Sequence, residues 1–114
     1  MKTFIFLFLI ALHVDASNIN SLLFNGNCIA CHEKNKNLSA PSVVEFKKVY
    51  KNAFKKEEDF VNYMSKWVAN PNEKTSLMDK EVKKYGLMPH LSFDEDVLKD
   101  IAKYIYHTDF GVKN

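Results

Sequence analysis

The chain contains no arginine. All 16 of its basic residues are lysine, and 14 acidic residues bring the formal net charge to only +2 at pH 7. A nucleic-acid-binding domain carries a far stronger basic footprint, so nucleic acid is not an expected partner. Glycine and proline number three each, and no linker, internal repeat or second domain is visible. No stretch alternates apolar and polar residues as a half-buried strand would. Only two cysteines are present, which allows at most one disulfide. The single long apolar run, Phe4 to Leu12, is too short to span a bilayer comfortably.

What is present begins with that run. Met1-Lys2-Thr3, the apolar stretch and then Val14-Asp15-Ala16 follow the layout of a secretory signal peptide. We expect residues 1–16 to be a leader cleaved after Ala16 and residues 17–114 to form one small exported domain, with no stable membrane insertion of the mature chain. No cysteine follows the apolar run closely enough to suggest a lipoprotein.

Both cysteines fall in Cys28-Ile29-Ala30-Cys31-His32, a C-x-x-C-H pattern that marks covalent attachment of haem c. On a helical segment, residues three and four apart project from neighbouring parts of one face. Two thiols at that spacing can reach the two vinyl groups of one porphyrin, and the adjacent imidazole can bind the iron. Other readings of these residues fare worse. A thioredoxin-like pair needs a strand–helix–strand setting that is missing here. A disulfide within one helical turn closes a tiny loop and constrains little. Zinc needs two further ligands at suitable spacing, and the remaining histidines of the mature chain, His90 and His107, form no such pair.

The periodicity predicts an all-α domain. Asn18 to His32 reads as a first helix ending in the motif, and Glu33 to Ser42 as a polar loop containing Pro41. Val43, Phe46, Tyr50, Ala53 and Phe54 mark a second helix. Lys55 to Asp59 is a charged connection, and Phe60, Met64, Trp67 and Val68 mark a third helix, stopped at Asn70-Pro71. Met78 to Val82 predicts a short helical turn. Gly86 and Pro89 impose irregular backbone around Met88. Ser92 with Glu95 has the form of a capping box opening a last helix with Val97, Leu98, Ile101, Ala102, Tyr104 and Ile105 on its apolar face.

These features together resemble the small class I c-type cytochromes, single-haem periplasmic electron carriers, over nearly all of the mature chain. In that family the N-terminal helix ends in C-x-x-C-H, matched by Cys28, Cys31 and His32. An aromatic four residues before the first cysteine, matched by Phe24, meets an aliphatic and an aromatic on the last helix, as Ile101 and Tyr104 resemble. The resemblance further implies that the Pro41 carbonyl orients the His32 ring. It also implies that Met88, in Met88-Pro89, supplies the second axial ligand, and that Asn70-Pro71 ends a helix. The implied fold is three to five helices wrapped around one covalently bound haem, with the N- and C-terminal helices crossing. Two departures stand out. Asn20 replaces a frequent glycine at the helix crossing, which implies a looser or shifted contact, and Ala40-Pro41 replaces Gly-Pro.

Met88 competes with other donors for the iron. His90 would give bis-histidine ligation and a lower potential. Met64 lies on an apolar stripe and reads as core, Met78 sits in a polar stretch as a weaker alternative, and His107 is placed to suit a helix C-terminus. Trp67 has two readings, an indole N–H directed at the porphyrin or plain core packing. Lys47, Lys48, Lys51, Lys55 and Lys56 form either an ordinary solvated helix face or a positive patch steering acidic partners.

The function expected from this pattern is one-electron transfer between ferrous and ferric haem c in a periplasmic respiratory chain of Gram-negative type. The protein is then not an enzyme in its own right. Expected partners are transient redox proteins: a quinol-oxidising complex, an oxidase, a peroxidase or a dehydrogenase. A monomer is expected. The alternatives are a cytochrome subunit of a periplasmic oxidoreductase and a haem sensor or enzyme with an open iron position.

Overall fold

The structure, a computed structural model, describes residues 16–111, so the expected leader lies, apart from Ala16, outside the described residues. Five α-helices follow in order: α1 Ala16–Asn27, α2 Val43–Ala53, α3 Glu57–Ala69, α4 Asp79–Tyr85 and α5 Glu95–His107. A single 3₁₀ turn, Glu73–Thr75, precedes α4, and no strand occurs among the described residues.

Local chemistry accounts for most boundaries. The Ser42 hydroxyl accepts from the Glu45 N–H at 3.2 Å and so caps α2. The charged run expected to connect α2 and α3 is shorter than predicted. Glu57, Glu58 and Asp59 already form the first turn of α3, where carboxylates oppose the positive end of the helix dipole. The capping box at Ser92 does not form. Phe93 N–H donates to Leu91 O at 2.8 Å, a tight turn that delays α5, so Asp94 becomes the residue before the helix and no side chain caps it. Gly86 ends α4 at φ +88°, a conformation that glycine reaches without steric cost, and the chain leaves the helix in a new direction.

Packing centres on α5, which contacts both α1 and α3, while α2 contacts α3. Phe24 of α1 and Phe60 of α3 are wholly buried, each contributing about 1.5–3 kcal/mol from burial of its ring. Around them lie Val43 and Tyr50 of α2, Val61 and Met64 of α3, and Ile101, Ala102 and Ile105 of α5. Phe24 sits 5.5 Å from the Tyr104 ring, as the family resemblance implied, and α1 reaches α5 with Asn20 half-buried in place of glycine. Phe110, which follows α5, adds a third ring 5.4 Å from Phe24.

The candidate cofactor site

The C-x-x-C-H stretch lies just past α1 rather than inside it, but the backbone keeps helical spacing. Cys28 N–H donates to Phe24 O at 2.9 Å and His32 N–H to Cys28 O at 2.8 Å. Cys28 is half-buried, Cys31 is exposed, and both thiols are free. Burial, with the neighbouring Cys31 second, pushes the Cys28 thiol up to about 11, so it is neutral at physiological pH.

The loop after the motif is fastened at its far end. Val43 N–H donates to Glu33 O at 2.8 Å, Val44 N–H to Lys34 O at 3.1 Å, and Ser42 N–H to the Asn37 side-chain oxygen at 2.6 Å. This places the Pro41 carbonyl 2.7 Å from His32 Nδ1. A carbonyl oxygen can only accept, so Nδ1 carries the proton and the Nε2 lone pair is left for another partner. Burial lowers the imidazole pKa below its usual value and the Pro41 bond partly opposes this. Phe46 meets the ring edge-on at 5.0 Å.

Cys28, Cys31, His32 and Pro41 line one cavity of about 260 Å³. Its floor is core: Phe24, Ile101, Ala102 and Ile105. The segment redirected by Gly86 brings Met88, Pro89 and Leu91 into the wall. His90 lies between them but is exposed and does not line the cavity. Met64 is core as expected and also borders the cavity. Met78, read from sequence as part of a polar stretch, is buried and borders it too, because it sits at the turn into α4. Trp67 lines the cavity, with its indole N–H donating to Asn72 O at 3.1 Å. His107 pairs with Glu57 at 2.7 Å on the surface.

Sequence reasoning missed Phe110, whose position outside any periodic segment gave no signal. It also missed α4 as a wall: Glu81, Val82 and Tyr85 line the cavity from successive turns. Of the lysines of α2 and the following turn, Lys48, Lys51, Lys55 and Lys56 are exposed and only Lys47 is half-buried. Lys47 Nζ donates to Thr108 O and lies 5.6 Å from the Phe110 ring, and Lys51 Nζ lies 3.9 Å from the Tyr106 ring.

Two thiols, a neutral imidazole with an available Nε2 and thioether sulfurs bordering a largely apolar cavity are a donor set suited to a covalently tethered iron porphyrin. No cluster of three His, Cys, Asp or Glu side chains that could hold a bare metal ion occurs among the described residues. A model of the family described as Cytochrome c matches residues 20–109.

The chain belongs to the cytochrome c family.

The family binds covalently attached haem c and uses it for electron transfer, and the all-helical architecture is that of the cytochrome c fold. Its members are typically secreted or face the outside of the cell. No helix among the described residues is long and apolar enough to cross a membrane. No curated protein and no solved structure matches the chain.

Proposed function

We propose that the chain is a monomeric, single-haem, one-electron carrier of a periplasmic respiratory chain. Cys28 and Cys31 are its attachment residues, His32 its proximal ligand and Met88 its distal ligand. The two thiols would hold the porphyrin through thioethers, each formed with one vinyl group. Bound haem c supplies the ferric/ferrous couple. The rest is the work of the chain. The Pro41 carbonyl accepts a hydrogen bond from His32 Nδ1–H, which fixes the ring and makes Nε2 a better donor. Phe46 holds the ring edge. The apolar wall excludes water. With His32 and Met88 both holding the iron, the haem would exchange electrons rather than bind a substrate.

The partners under this reading are other redox proteins, such as a quinol-oxidising complex, an oxidase, a peroxidase or a dehydrogenase, docked weakly and briefly. Exposed Lys80, Lys83 and Lys84 of α4 flank the lining residues Val82 and Tyr85 and outnumber Asp79 and Glu81 on the same helix, which offers an acidic partner a weakly positive face.

The observation that carries the reading is the 2.7 Å bond from His32 Nδ1 to Pro41 O at the wall of a cavity shared with both cysteines and Met88. The test is expression with haem-c maturation machinery, followed by optical spectra of both oxidation states and potentiometry. The expected result is covalent haem with a reversible one-electron couple and a low-spin spectrum. Rapid carbon monoxide binding by the undenatured reduced protein would show an open iron position and overturn it.

A further inference from the structure

The cavity is lined mainly by hydrocarbon, with Asn27, Ser39, Ser65 and Ser76 among its neutral polar residues. Glu81 of α4 is the only Asp, Glu or Lys among the residues lining it. The residue is half-buried. Among the described residues its carboxylate has no ion-pair partner within 4.0 Å and no side-chain hydrogen bond, whereas the surface residues His107 and Glu57 do pair. Glu81 is thus a half-buried acidic residue on a helix that walls an apolar cavity, where its charge can act on whatever the cavity holds.

Glu81 also borders a second, smaller recess of about 110 Å³ lined by Asn37, Glu45, Lys80, Lys84 and Tyr85. Glu81 and Tyr85 therefore form the partition between a polar recess and the apolar cavity. Lys80 and Lys84 are exposed, so water and salt screen them, and Glu45 offsets part of their charge. Of the charged residues around the recess, Glu81 alone also lines the apolar cavity, and a charge beside apolar surroundings is less screened than one in open water.

We propose that Glu81 is a potential-setting residue: its fixed negative charge in the cavity wall favours the oxidised state of the bound haem and holds the reduction potential down. This rests on the haem-site reading above. Oxidised haem carries one more positive charge than reduced haem, so a nearby anion stabilises the oxidised form more. Reduction takes one electron from the donor, and loss of that positive charge removes the attraction.

The test is potentiometry of the holoprotein with redox mediators, comparing wild type, Glu81→Gln, Glu81→Asp and the exposed control Glu73→Gln. Glu81→Gln should shift the equilibrium toward the reduced form by about tenfold, which for one electron is about 59 mV upward. Glu81→Asp should stay close to wild type, and Glu73→Gln should move little. The axial-ligand bands of the oxidised spectrum should be the same in all four proteins, which separates an electrostatic effect from a change in coordination. Should Glu81→Gln fail to fold, Glu81→Ala makes the same charge change and must also raise the potential. A neutral variant with wild-type bands whose potential moves no more than Glu73→Gln overturns the proposal. Failure of the wild-type chain to attach haem would instead overturn the site reading, and this proposal with it.

Discussion

The Nδ1–H of His32 donates to the carbonyl oxygen of Pro41 across 2.7 Å. The bond joins the end of the C-x-x-C-H turn to the end of the following loop, and two backbone bonds from Val43 and Val44 hold that loop closed. The ring is thereby fixed in one tautomer before any iron is bound. Under the proposed ligation, His32→Ala should leave both thioether positions intact while abolishing the low-spin ferric spectrum of a six-coordinate haem. Absorption and electron paramagnetic resonance of the purified variant check this, and a retained low-spin signal would contradict it.

Met88, His90, Met64 and Met78 each carry a soft or nitrogen donor, and their placement separates them. Met88 lies in the cavity wall, on the segment turned by Gly86, and His90 is exposed outside it. Met88→Ala should therefore abolish the deep-red sulfur-to-ferric-iron charge-transfer band, while His90→Ala, Met64→Leu and Met78→Leu should keep it. Loss of the band in Met78→Leu with retention in Met88→Ala would reassign the ligand.

Phe110 has no helix of its own, yet it packs 5.4 Å from the wholly buried Phe24 and 6.1 Å from Tyr104. Lys47 ties down the same segment through Thr108 O. Truncation of a fully buried phenylalanine costs about 3–5 kcal/mol, and Phe110 is only partly buried, so Phe110→Ala should cost about 2 kcal/mol. Denaturant unfolding of the holoprotein measures this, and the melting temperature should fall by roughly 4–8 °C per kcal/mol. An unchanged midpoint would mean that the terminal segment does not contribute to the core.

Tyr50 lines the cavity and packs on Phe60 and Tyr63. Burial, with Tyr63 beside it as the smaller cause, raises its phenol well above the ordinary 10.0. The folded state thus favours the neutral form. That contribution is complete below the unfolded value and is lost as pH rises above about 10 toward the folded value. Urea unfolding at a series of alkaline pH values should show wild-type stability falling in this window and a flatter profile for Tyr50→Phe. Parallel profiles for the two proteins would exclude Tyr50 as the group responsible.

The helices that could be placed from sequence are those whose burial repeats at three and four residues: Val43 to Tyr50 on α2, Phe60 to Val68 on α3, and Leu98 to Ile105 on α5. The boundary errors have a common cause. Capping and turn chemistry compete over a few residues, so Ser92 lost the start of α5 to the turn at Leu91–Phe93, and the acidic run at Glu57 joined a helix rather than a connection. Met78 read as polar surface because its neighbours in sequence are polar, whereas its burial depends on where the turn into α4 sits over the cavity.

The sequence by itself determined the C-x-x-C-H pattern and the all-α class, because thiol and imidazole spacing and helical periodicity are local properties of a few consecutive turns, and on those residues it carried the resemblance to the family. Only the tertiary structure decided that Pro41 O meets His32 Nδ1, that Lys47 and Lys51 lie against the C-terminal aromatic side chains, that the Trp67 N–H is taken by Asn72, and that Glu81 stands in the cavity wall. Each of these joins groups on different elements. Burial and charge at such places are set by what folds against a residue rather than by what precedes or follows it in the chain.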